Sequence, residues 1–133
     1  MNQLVRDAMV PDPLALEAQR SAREAGEALQ NPDVRAVLVT SGGALVGVIT
    51  RKTLVREVIA RGLDPNTTPV GSFAEQPNAT LDSRMALDDA FAFLEEQDYE
   101  RVPVVEDGKL VGVLSRAGVR RRLAEDEEVS DTV

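Results

Sequence analysis

The sequence predicts a mixed fold of helices and strands, α/β in the α+β sense, made of two copies of one β-α-β-β-α unit. Two observations carry that reading. The stretch Leu45-Val46-Gly47-Val48-Ile49-Thr50 returns as Leu110-Val111-Gly112-Val113-Leu114-Ser115, and the offset of 65 residues, Gly47 to Gly112, also pairs Val5 with Val70, Leu16 with Leu81, Leu29 with Leu94, Val39 with Val104 and Arg51 with Arg116. Apolar residues then change from helical to strand period in the same order in both copies. The matched positions are mostly apolar or Gly, as two copies of one buried framework require. The chain therefore divides into a first repeat at 1–64, a linker at 65–69, a second repeat at 70–125 and an acidic tail at 126–133 expected to be disordered. A lone copy of this size would be marginally stable, so the halves are expected to share a core.

Each element has a local cause. Extended pieces open the units at Leu14 to Leu16 and at Ala79 to Leu81. Ser21 and Glu24 have capping-box spacing ahead of a helix from about 21 to 30, which Asn31-Pro32 stops. Ala36 to Val39 and Leu45 to Ile49 then flank Ser41-Gly42-Gly43 as a hairpin. After Thr50, the spacing of Leu54, Val55, Val58 and Ile59 is helical, and Gly62 closes that helix. In the second copy Leu87, Ala90, Phe91 and Leu94 mark the helix, Val102 to Val105 and Leu110 to Leu114 pair across Glu106-Asp107-Gly108, and a last helix begins near Arg116. Asp64-Pro65-Asn66-Thr67-Thr68-Pro69 has turn chemistry.

Composition narrows the function. With no Cys and no His, thiolate chemistry, zinc sites and Ser-His or Cys-His catalysis are excluded. No apolar run reaches the length of a membrane span and no basic-then-apolar leader is present, so the expectation is a cytoplasmic protein with no membrane partner. A net charge of −8, with Glu125, Asp126, Glu127, Glu128 and Asp131 gathered at the end, argues against nucleic acid. Arg120-Arg121-Arg122 reads as a dipole-opposing helix end. Asp88-Asp89 and Glu95-Glu96 fall on consecutive helix positions that point apart, so they form no acid/base pair. No catalytic residue and no metal ligand can be nominated.

Gly inside a strand weakens it, so Gly47 and Gly112 imply a close approach by another chain segment or by a ligand. Each of these strands ends in a hydroxyl, Thr50 or Ser115, followed by Arg51 or Arg116 at a helix start. Free amides, a partial positive charge and a guanidinium together make a cradle for a phosphate. The alternative is that Thr50 and Ser115 only cap their helices and the glycines only aid packing.

The two in-register copies, "LVGVIT" and "LVGVLS", the "RVPVVEDGK" before the second, and the opening Val5-Arg6-Asp7-Ala8-Met9 resemble a tandem pair of cystathionine-beta-synthase (CBS) domains, a Bateman module, over about residues 4 to 125. The linker and its surroundings, "ARGLDPNTTPVG", are similar to those of small stand-alone actinobacterial CBS-pair proteins. The family resemblance implies two β-α-β-β-α repeats packed about a pseudo-twofold axis, a homodimer, and a regulatory role. It also implies an adenosine-type ligand (AMP, ATP or S-adenosylmethionine) in a cleft between the repeats, with no other cofactor. The ligand-binding positions carried over are Thr50, Arg51, Ala79, Thr80, Arg101, Val102, Pro103, Ser115, Arg116 and Gly118, with Arg101 for phosphate and Ala36 in its place in the first copy. The acid that ends the family motif is Thr53 or Gly118 here, which weakens ribose recognition. A dimerising or partner-binding scaffold without nucleotide, serving an unknown protein partner, is the competing expectation. The expected dimer surface is the final helices, through Leu54, Val55, Val58, Ile59, Val119 and Leu123.

Overall fold

The computed structural model describes residues 3–131, with side chains to residue 125. In chain order it contains α1 (Val5–Ala8), β1 (Val10–Pro11), β2 (Ala15–Glu17), α2 (Ala22–Leu29), β3 (Val37–Ser41), β4 (Ala44–Ile49) and α3 (Arg51–Leu54), which continues as a π-helical turn, Val55–Ile59. A 3-10 turn at Val70–Ser72 leads to β5 (Leu81–Asp82), α4 (Leu87–Gln97), β6 (Arg101–Glu106), β7 (Lys109–Ser115) and α5 (Arg116–Asp131). The strand, helix, hairpin, helix order is present twice.

Packing divides the chain differently from the repeats. One compact unit is Leu14–Pro77; the other joins the residues up to Pro13 with those from Asn78 onward. Each repeat's opening segment thus packs with the body of the other repeat, and the expected boundary at 65–69 falls inside a unit. There, Pro65 and Thr68 carbonyls accept the Arg23 and Ala22 amides at the free N-terminal end of α2.

In the Leu14–Pro77 unit β2 runs parallel to β3, and β3 pairs antiparallel with β4. In the other unit β5 runs parallel to β6, β6 pairs antiparallel with β7, and β1 adds to β7. Both hairpins turn on two left-handed residues, Gly42-Gly43 and Asp107-Gly108, the conformation that matches strand twist in a two-residue loop. Both carry a bulge at the same repeat position, after Val39 and after Val104.

The buried side chains form two clusters, one per unit, rather than the single shared core expected. Ala22, Ala25, Leu29, Val37, Val39 and Ile49 are joined by Val70 and Phe73; Leu87, Ala90, Leu94, Val102, Val104 and Leu114 are joined by Val5 and Leu81. Val5 and Val70 occupy equivalent places, each supplied by the other repeat's opening segment, and each fully buried. Burying a valine completely stabilises by about 1.5 kcal/mol or more. Three backbone hydrogen bonds fix each segment: Val70, Gly71 and Ala22 donate to Arg20, Ala18 and Thr68, while Val5, Arg6 and Leu87 donate to Met85, Ser83 and Gln3. Asp7 closes α1 by accepting the Leu4 amide at 2.8 Å.

The strand glycines acquire their reason here. A Cβ on Gly47 would lie 2.6 Å from the Ala74 Cβ, and one on Gly112 would lie 2.6 Å from the Met9 sulfur and 2.8 Å from the Val10 carbonyl oxygen. Val48 and Glu75 exchange two backbone hydrogen bonds in one unit, and Val10 and Pro11 register with Val113 and Gly112 in the other. Of the two approaches the sequence allowed, the chain itself makes the one seen.

Other expectations change in detail. Val46 is exposed and Val48 and Val113 half-buried because alternate residues of β4 and β7 face away from their cluster, and Leu45 and Leu110, beyond the bulges, are also only half-buried. Ser21 caps Glu24, but the Glu24 carboxylate turns to Arg20 at 2.6 Å, so only half of the capping box forms. α5 reaches Asp131, so the expected disordered tail is helical over 126–131, where extension of a packed helix needs no new nucleus; residues 132 and 133 lie outside the described residues.

Ala at either strand glycine must displace the opposing segment. Gly47→Ala and Gly112→Ala are each expected to lose about 1 to 3 kcal/mol in urea unfolding, as overpacked sites do. A loss below about 0.5 kcal/mol at both sites, the usual range for neutral substitutions, would contradict the close approach.

Candidate functional site

Of the predicted site residues, Thr50, Arg51, Ser115, Arg116 and Gly118 fall at the starts of the two helices that follow the hairpins. In the Leu14–Pro77 unit, the Thr50 hydroxyl accepts the Thr53 amide at 3.3 Å, and the Thr53 hydroxyl accepts the Thr50 amide at 3.1 Å, a reciprocal cap. Arg51 does not reach into open space. Its Nη2 donates to the Leu29 carbonyl at 2.6 Å and to the Asn31 carbonyl at 2.9 Å, closing the C-terminal end of α2 with positive charge.

The buried Thr53 stands where the family motif has its acid, and its hydroxyl donates to the Glu75 Oε1 at 3.1 Å, the oxygen that also pairs with Arg56. A carboxylate is therefore present beside this helix start, delivered from the opening segment of the second repeat. Sequence reasoning missed Glu75. The signal was the offset: it falls on Val10 in the other copy, an acid where the framework keeps an apolar residue.

In the other unit, the Ser115 hydroxyl accepts the Gly118 amide at 3.0 Å. Arg116 is largely covered and donates to Asp98 at 3.1 Å and to Glu100, tying the start of α5 to the end of α4. The hydrogen bonds it donates, to Asp98 first and Glu100 second, push its pKa above the ordinary arginine value, so it stays charged. Gly118 is not in the left-handed region, but a Cβ there would lie 2.7 Å from the Ser115 Oγ. An acid at 118 would displace the cap.

Arg101 differs from the other two arginines. It is exposed, at the first position of β6 in register with Ser115 across the hairpin, and its guanidinium makes no hydrogen bond or ion pair among the described residues. Val102 turns into the cluster and Pro103 is half-buried opposite Val113. Ala79 packs against the same cluster, and Thr80 is exposed one residue before the β5–β6 register begins. Ala36, in the place of Arg101, brings no charge to the first copy. The geometry gathers Arg101 and Ser115 at one strand end and leaves Thr50 and Arg51 in the other unit. Among the described residues no group of three acidic, His or Cys side chains could hold a metal ion.

Comparison with known proteins follows the same division. The family model described as CBS domain matches residues 5–60 and 70–125. Hypoxic response protein 1 of Mycobacterium tuberculosis is 33% identical over 81 residues, which is 61% of this chain and 57% of that protein, so the chain spans little more than half the length of that relative. Among solved structures, Hypoxic Response Protein I with two coordinated zinc ions superposes with a TM-score of 0.75 at 26% identity, covering 90% of this chain and 98% of that one. CBSX2 in complex with AMP gives 0.73 at 27% identity over 93% of this chain and 98% of that one.

The two arginine environments predict opposite responses. Arg51→Ala should lower stability by about 1 kcal/mol in urea unfolding, since it leaves two helix-end carbonyls without their charged donor. Arg101→Ala should change stability by less than about 0.5 kcal/mol, as exposed unpaired positions do. The reverse order would contradict the assignment of Arg51 as a structural clasp.

Proposed function

Because the chain belongs to the CBS domain family and carries two copies of the domain, we propose that it is a non-catalytic regulatory module that takes an adenosine-type ligand of the AMP, ATP or S-adenosylmethionine class. The observation that carries this reading is Arg101. Among the described residues it is a charged donor with no side-chain partner, at the strand end that also holds Ser115, and therefore able to meet a phosphate without first breaking an internal contact. CBSX2, which shares 27% of its aligned residues, is a protein of the same fold in complex with AMP. Thr80 and the backbone around Val102 and Pro103 complete the candidate set. The protein acts in the cytoplasm as a homodimer on an unidentified protein partner, without nucleic acid. Zinc does not enter the reading, since the chain has neither His nor Cys to bind it.

A specific observation favours a second reading. Thr50, Arg51, Ser115 and Arg116 are all committed to helix ends, and neither Thr53 nor Gly118 offers a carboxylate. A site stripped to one free guanidinium suits a dimerising scaffold that binds protein rather than nucleotide.

Calorimetry separates the two. In the sensor reading ATP binds more tightly than adenosine, affinity falls as salt rises, and Arg101→Ala weakens binding by about 1.5 to 3 kcal/mol, or roughly ten- to a hundredfold. If AMP, ADP, ATP and S-adenosylmethionine all fail to bind at about 1 mM, an affinity worth only some 4 kcal/mol, the scaffold reading takes its place.

A further inference from the structure

Two arginines recur at the repeat offset on the helices that leave the hairpins, Arg51 with Arg116 and Arg56 with Arg121. Three of these have an internal partner: Arg51 and Arg116 clasp the end of the preceding helix, and Arg56 pairs with the Glu75 carboxylate. Arg121 is exposed and makes no hydrogen bond or ion pair among the described residues. Val58 and Val119, expected at a dimer surface, are instead buried in their clusters, with Leu54 and Leu123 partly so. Helix residues two positions apart point to nearly opposite sides, which turns Arg56 and Arg121 outward.

The Leu14–Pro77 unit shows what Arg56 holds. Glu75 exchanges backbone hydrogen bonds with Val48 at 2.8 and 2.9 Å, and its Oε1 accepts from both Arg56 and the buried Thr53 hydroxyl. An oxyanion is thus fixed beside the outgoing helix by one guanidinium and one hydroxyl. The backbone of the other unit is arranged in the same way. Val10 and Val113, the offset equivalents of Glu75 and Val48, face each other in an antiparallel pairing, as Glu75 and Val48 do. The side chains differ: Val10 carries no carboxylate and is 63% exposed, Gly118 replaces Thr53, and the cation is retained. The framework that seats a carboxylate for Arg56 leaves the charge of Arg121 unmatched from within.

We propose that Arg121 takes from outside the oxyanion that Glu75 supplies to Arg56 from inside, and that this oxyanion is a phosphate of the ligand. The position of the anion follows from comparing the two copies. Its identity as a phosphate rests on the sensor reading, in which the same unit meets a phosphate through Arg101. With the hydroxyl donor of Thr53 absent at Gly118, the guanidinium holds the group with its own paired N–H donors, a geometry that lysine cannot reproduce.

Calorimetric titration of the full chain with ATP and with inorganic pyrophosphate tests the assignment, with circular dichroism as the check on folding. Arg121→Ala, and Val10→Glu, which installs the carboxylate of the other copy, each lower affinity for both probes by about tenfold or more, the loss of one charge-assisted contact. Arg121→Lys restores only part of it. Val10→Gln, similar in size but uncharged, keeps the wild-type affinity and so separates charge from bulk. If ATP binds wild type and Arg121→Ala equally well, the Arg121 assignment falls and the sensor reading stands. If pyrophosphate binds through Arg121 and ATP does not bind, the anion position stands and the nucleotide reading falls. Binding of neither probe at about 1 mM overturns both.

Discussion

The structure depends on a close approach: the opening segment of each repeat lies directly over a strand glycine in the body of the other. Val5 and Val70 fill equivalent places in the two clusters, and Met9 and Ala74 lie where the side chains of residues 112 and 47 would be. Each repeat therefore lacks part of its own core and receives it from the other. Neither half of the sequence contains a whole folding unit, although it contains a whole repeat. Steric exclusion decides the matter, because no rearrangement of side chains can free the space taken by a backbone oxygen 2.8 Å from a Cβ position.

That arrangement redistributes the polar residues that read as a ligand cradle. With the opening segment in place, Glu75 comes within 3.1 Å of Thr53 and joins Arg56, so one helix start is closed by an internal network. Arg51 and Arg116 perform one task by two chemistries: the first clasps backbone carbonyls at the end of α2, the second clasps the Asp98 and Glu100 carboxylates at the end of α4. Both hold a hairpin's outgoing helix to the incoming one. Arg101 makes no such clasp among the described residues, and the first copy has Ala36 in its place. The repeats share a framework and differ in side chains at equivalent places, Arg101 against Ala36 and Phe91 with Arg120 against Gly26 with Val55.

Much of this was legible in the sequence because its causes are local or periodic. Two-residue turns at Gly42-Gly43 and Asp107-Gly108, the Ser21 cap and the paired strands follow from short-range chemistry. Gly47 and Gly112 announced a close approach but not what approached, since a missing side chain signals space and not its occupant. The partners of Arg51 and the arrival of Glu75 lie 20 or so residues away in the chain, and no period points to them. Val58 and Val119 were placed at an interface because helical spacing gives a face without saying which half of it the adjoining strands will cover. The single shared core does not form for a related reason: the repeat is not the folding unit, since packing pairs each opening segment with the other repeat.

The most direct test is hydrogen exchange read by mass spectrometry in the full chain, comparing wild type with Leu29→Ala. Leu29 belongs to the cluster that contains Val70, so its truncation opens a cavity and costs about 2 to 5 kcal/mol in that unit. The account predicts that residues 70–75 lose protection together with 37–49, while residues 4–10 keep more of theirs and follow 101–115. Loss of protection in 4–10 with 70–75 unchanged would mean that each opening segment belongs to its own repeat, and would contradict the exchange on which the structure rests.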